Sequence, residues 1–130
     1  MSNKKKILIV DDEQDQRSWM ATFFEDNGFE TITAVDGQEG FVMAQEHHPD
    51  LITLDISMDN ESGIRMFRNL QESPETASIP VAMVTGVSPD FKRYIESHKR
   101  VRPPAAYFEK PVDRDRLLKT VRELTAQNVA

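Results

Sequence analysis

A chain of 130 residues, 38% hydrophobic and 29% charged, has room for one globular domain with its own core and none for a second. Its net charge of -6 argues against general nucleic-acid binding, which draws its affinity from basic residues on phosphates. The absence of cysteine excludes disulfides and thiolate zinc sites and suits a reducing cytoplasm, and the apolar run Ile7–Val10 is too short for a signal-peptide core or membrane insertion.

Ile7–Val10 (ILIV) is a continuous aliphatic run bounded by charge, the pattern of a strand buried on both faces of a parallel sheet. Gln14 to Asn27 follows helical spacing, with Trp19, Met20, Phe23 and Phe24 on one face, and Gly28 supplies a left-handed cap. Phe29–Val35 is rich in β-branched residues and reads as a second strand, nearer an edge. Asp36 caps a helix over Gly37–His47, with Phe41, Val42 and Ala44 facing inward, and His48-Pro49 ends it.

Leu51–Leu54 is a third strand, followed by a helix over Ile64–Glu72 with Met66, Phe67 and Leu70 inward. Pro80–Val84 is a fourth strand, after which a helix is expected around Asp90–His98 and a loop over SHKRVRPP. Ala105–Phe108 is a fifth strand, and Asp113–Ala126 a closing helix with Leu117, Leu118, Val121 and Leu124 on its apolar face. Alternation of strand and helix implies right-handed crossovers, a five-stranded parallel sheet and a three-layer α/β/α sandwich.

In such a sheet the residues just after each strand gather at one edge. Here they are Asp11 and Asp12, then Asp55, Thr85 and Lys110. Singly, each has an ordinary reading as a cap, a turn residue or a solvated cation. Together they place three carboxylates, a hydroxyl and an amine at one place. Two carboxylates about 4 Å apart repel by roughly 4 kcal/mol at an effective dielectric of 20, so such a cluster calls for a cation. Oxygen ligands without His or Cys favour Mg²⁺, with Mn²⁺ as a substitute. Metal, amine, hydroxyl and a carboxylate nucleophile are the parts needed to receive a phosphoryl group, with Asp55 as the acceptor.

VDDE after the first strand, LDISM with Gly63 eight residues beyond Asp55, VTG after the fourth strand and YFEKP around the fifth resemble the receiver domain of two-component response regulators. The resemblance runs from about Lys5 to Thr125, so that residues 1–130 are expected to be a single, stand-alone receiver domain with its core over about 5–125. It implies a flavodoxin-like fold with strand order 2-1-3-4-5 and phosphorylation of Asp55 by a histidine kinase or histidine phosphotransfer protein. It further implies Mg²⁺ held by Asp12, Asp55 and the backbone carbonyl of Ser57, with Asp11 beside it. Thr85 and Lys110 then contact the phosphoryl group, Tyr107 switches rotamer with Thr85, and the Lys110-Pro111 bond is cis. The expected output is binding of a downstream protein through the fourth helix, fifth strand and closing helix, with no direct role for nucleic acid.

The sequence also departs from that pattern. Asp59 stands where the family usually has proline, adding charge near the site, and Gly86 stands where alanine is common. The 24 residues between Thr85 and Lys110 carry Lys92, Arg93, Lys99, Arg100 and Arg102 within a short stretch, a candidate basic face. A phosphorylation-independent pseudo-receiver is the competing class, opposed by the intact acidic set with Thr85 and Lys110. A flavin protein would want a Gly/Ser/Thr-rich phosphate loop where DDEQD stands, and an Asp-nucleophile phosphatase would want an acid where Ser57 stands.

Overall fold

The computed structural model describes residues 4–56, 62–86 and 102–126. Its elements run β1 (Lys6–Val10), α1 (Gln14–Asp26), β2 (Glu30–Ala34), α2 (Gly37–His47), β3 (Leu51–Leu54), α3 (Ser62–Glu72), β4 (Val81–Thr85), β5 (Ala106–Glu109) and α4 (Arg114–Ala126). The helix expected at Asp90–His98 lies outside the described residues, as do Lys92, Arg93, Lys99 and Arg100. All neighbouring strands pair in parallel in the order β2-β1-β3-β4-β5, the flavodoxin-like arrangement.

The unbroken apolar strands are explained by the two cores they feed. Leu8, Val10, Ile52, Leu54, Val81 and Met83 face one side, where α2 and α3 contribute Ala44, Met66, Phe67 and Leu70. Ile7, Ile9, Leu51, Ala82 and Val84 face the other, against Met20 and Phe24 of α1 and Leu117 and Val121 of α4. Successive side chains of a strand point to opposite faces, so a strand covered on both sides is apolar at every position. Trp19 and Phe23 are half-buried at the margin of the second core.

Strand ends move by about a residue from the sequence reading because backbone pairing continues under polar side chains. Lys6 pairs with Glu30 at one end of the sheet, and Thr85 with Glu109 at the other. The cap of α1 is a Schellman motif: the Gly28 N–H donates to Glu25 O, the Phe29 N–H to Phe24 O, and Gly28 takes φ +93°. Phe24 and Phe29 then meet edge to face, with ring centroids 5.9 Å apart.

Helix α2 corrects one expectation. Val42 does not face inward; it is 46% exposed. Ala44 is buried as expected and Phe41 packs against the core, but the rest of the buried face is Gly37 and Gly40, so the helix approaches the sheet through glycines that a hydrophobic pattern misses. At Gly40 a Cβ would sit 2.7 Å from Met66 Sδ and 2.9 Å from Val10 Cγ2. The Asp36 side chain caps this helix as expected, accepting the Glu39 N–H at 2.8 Å.

Candidate functional site

The carboxyl edge of the sheet builds the site by extending the ladder one residue past two strands. The Asp11 N–H donates to Ala34 O at 3.2 Å and the Asp55 N–H to Val10 O at 3.0 Å. Both acids are therefore carried on pinned backbone, and both are 2% exposed. Asp12 follows on the solvent side and is exposed. One carboxylate oxygen from each of Asp11, Asp12 and Asp55 lies within 4.8 Å of the others.

Lys110 arrives one residue after β5, at a peptide bond to Pro111 that is cis. Its ammonium is shared, with Nζ donating to Asp11 Oδ2 at 3.1 Å and to Asp55 Oδ2 at 3.2 Å. Asp11 Oδ1 is occupied separately by the Glu13 N–H at 2.9 Å. Across the turn, Arg17 Nη1 donates to the Asp11 carbonyl at 2.7 Å.

Charge is unevenly settled here. Burial pushes the Asp11 carboxyl above 3.8 and the Asp55 charge adds to it, while the Glu13 N–H and Lys110 only partly oppose them. Burial would lower Lys110, but the charges of Asp55 and Asp11 and its hydrogen bonds to both outweigh it, leaving its pKa above 10.5. Among the described residues three carboxylates face one ammonium, and the Arg17 guanidinium bonds the Asp11 carbonyl rather than any of the three carboxylates.

The backbone of Asp55 and Ile56 is seated against Gly63 near the start of α3. A Cβ there would meet Asp55 O at 2.5 Å and Ile56 Cα at 2.8 Å, so only glycine lets the helix rest on this backbone. At Gly86 a Cβ would meet nothing within 4 Å among the described residues.

Of the residues singled out from sequence, Asp11, Asp12, Asp55 and Lys110 are brought together. Thr85 ends β4 opposite Glu109, with its side chain outside the described set. Tyr107 is half-buried on β5, where burial and the Glu109 charge raise its phenol above 10.0. Ser57 and Asp59 lie outside the described residues. Arg17 was missed, because a lone arginine in the first half of a helix reads as a solvated surface cation.

Residues 7–122 match the family model of the response regulator receiver domain. The chain belongs to that family. It is 31% identical over 121 residues to PilH of Pseudomonas aeruginosa, covering 93% of this chain and 98% of PilH. It is 32% identical over 118 residues to the polar-differentiation response regulator DivK of Brucella ovis, covering 91% and 94%. The chemotaxis protein CheY4 of Vibrio cholerae superposes with a TM-score of 0.80 at 28% identity, over 93% of this chain and 98% of that one. The signal receiver domain of a histidine kinase from Syntrophus aciditrophicus gives 0.83 at 28% identity, over 96% and 92%. The chain is thus a receiver domain of two-component signalling, and the relatives it matches include a response regulator by name. No helix among the described residues is long and apolar enough to cross a membrane.

Proposed function

We propose that this receiver domain is a phosphoacceptor switch that takes a phosphoryl group onto Asp55 from a phosphohistidine of a histidine kinase or phosphotransfer protein. The observation that carries the reading is the convergence of Asp11, Asp12 and Asp55 within 4.8 Å, with Lys110 divided between Asp11 and Asp55. The donor set is all oxygen, one member is exposed to solvent, and the buried Asp11 carboxyl stays raised despite its lysine. Those features fit a hard divalent ion with part of its water shell, Mg²⁺ first and Mn²⁺ in its place. Asp12, Asp55 and the Ser57 carbonyl would hold it, with Asp11 alongside. Mg²⁺ supplies positive charge to the acids and to the phosphoryl oxygens as charge develops there.

A carboxylate oxygen of Asp55 attacks the phosphorus as the P–N bond to the donor imidazole breaks. The bonding pair leaves with the imidazole nitrogen, and an acyl phosphate remains on Asp55. Lys110, already within hydrogen-bond distance of Asp55, follows the developing charge onto the phosphoryl oxygens. Thr85 donates its hydroxyl to the same group, and Tyr107, at the next strand, changes rotamer with it. The altered face of β5 and α4, together with the segment before β5, then binds a downstream protein. Residues 1–130 act as one unit in this scheme.

Mass spectrometry after incubation with acetyl phosphate and Mg²⁺ tests it. Wild type should gain one phosphoryl group, located at Asp55, and Asp55→Asn none. Equal labelling of Asp55→Asn, or none of wild type, would sink the proposal.

A further inference from the structure

The three acids are held in different ways. Asp11 and Asp55 are fixed by ladder bonds and by Lys110. Among the described residues Asp12 has neither support, so its aim is set by the backbone of the Asp11–Glu13 turn. One side of that turn is closed by the Glu13 N–H on Asp11 Oδ1 at 2.9 Å. The other is closed by Arg17, whose own N–H donates to Glu13 O at 3.1 Å while its Nη1 donates to Asp11 O at 2.7 Å. Arg17 thus reaches from the first turns of α1 back to the end of β1 and brackets Asp12 between two of its bonds.

We infer that Arg17 is a positioning residue of the acidic centre: its guanidinium clamps the Asp11 carbonyl and so holds the turn that aims Asp12 at the point shared with Asp11 and Asp55. This rests on the reading of the acids as a Mg²⁺ site. Charge and geometry then predict opposite signs. A guanidinium beside a cation site repels the cation, so if Arg17 acted only as a charge, removing it would tighten Mg²⁺ binding. As a clamp, its loss weakens binding, as removal of residues that orient metal ligands commonly does.

Calorimetric titration with Mg²⁺ of wild type, Arg17→Ala and Arg17→Lys decides the sign. Arg17→Ala should bind about tenfold more weakly, and Arg17→Lys, which keeps a long donor and the charge, should recover most of that. Equal or tighter binding by Arg17→Ala overturns the clamp. A second readout needs no metal: exchange of the Glu13 amide proton, followed by NMR in metal-free protein, should speed up about tenfold in Arg17→Ala and return toward wild type in Arg17→Lys. Unchanged exchange also overturns it. Failure of wild type to bind Mg²⁺ while the exchange result holds would defeat the metal reading and leave the clamp standing.

Discussion

The two edges of this sheet treat polar groups in opposite ways. At the amino edge, side chains close off backbone groups pair by pair. Asp50 Oδ2 accepts the Lys6 N–H at 2.8 Å, and the Thr76 hydroxyl, on a residue 1% exposed, donates to Leu70 O at 2.8 Å. The Gln71 amide group bonds both the N–H and the carbonyl of Arg102, at 2.8 and 2.7 Å, and Arg102 Nη2 reaches Ala77 O at 2.9 Å. The bonds of Thr76, Gln71 and Arg102 rim a cleft of about 200 Å³ between the end of α3 and the start of β5. The carboxyl edge instead gathers three acids around one lysine. One edge is closed by its own hydrogen bonds; the other is the one proposed above to take Mg²⁺. An unfinished site costs stability that the rest of the fold must supply, the usual exchange between function and stability.

The largest test of this contrast is steric. Gly63 lies against the Asp55 carbonyl, and a Cβ would come within 2.5 Å of it. Gly63→Ala should therefore cost about 3 kcal/mol, as overpacking against rigid backbone does, and should weaken phosphoryl acceptance because the Asp55 turn must move. Urea unfolding together with phosphorylation assays would measure both. A loss under about 0.5 kcal/mol would mean that α3 yields easily and does not seat the site.

The next test is electrostatic. The folded pKa of Asp11 is raised, so the native state binds this proton more tightly than the unfolded chain does. For such a group stability falls as pH rises from 3.8 through the folded value, the reverse of a salt-bridged aspartate, and the penalty is complete only above that folded value. Lys110 behaves in the opposite sense: its contribution is complete below 10.5 and is lost as pH climbs through its raised value. Without divalent ions at pH 7, Asp11→Asn should raise Tm by about 3–5 °C, roughly 1 kcal/mol, and the gap from wild type should close toward pH 4. With saturating Mg²⁺ wild type should recover the difference through binding. A stability gain that ignores both pH and Mg²⁺ would refute the account of an unfinished edge.

How far the sequence foretells this contrast depends on which atoms make it. The layered fold was legible because a strand covered on both faces is apolar on both, and ILIV and VAMV show that pattern without a break, LITL with only Thr53 interrupting it. The acids and Lys110 were legible because chain order and right-handed crossovers bring strand ends to one edge. The inner face of α2 was legible only in part: Ala44 is buried as the spacing places it, but Gly37 and Gly40 carry no hydrophobic signal, and Val42 borrowed their part. Arg17 and Gln71 were missed for a related reason. Each bonds a backbone atom, and a backbone acceptor leaves no mark in the sequence.

Gln71 supplies the smallest and most discriminating test. Its two bonds to Arg102 are exposed, so water can replace much of what Gln71→Ala removes, and the loss should be about 0.5 kcal/mol. The cleft beside it belongs to the finished edge and lies across the sheet from Asp55. Well-separated sites with no shared partner add almost independently, so Gln71→Ala should leave Mg²⁺ affinity and Asp55 labelling unchanged, and its effect should sum with that of Asp11→Asn. Double-variant unfolding with and without Mg²⁺ reads this directly. A change in Mg²⁺ affinity beyond about threefold would show that the segment entering β5, which carries Tyr107 and then Lys110, transmits between the edges, and the division between them would have to be given up.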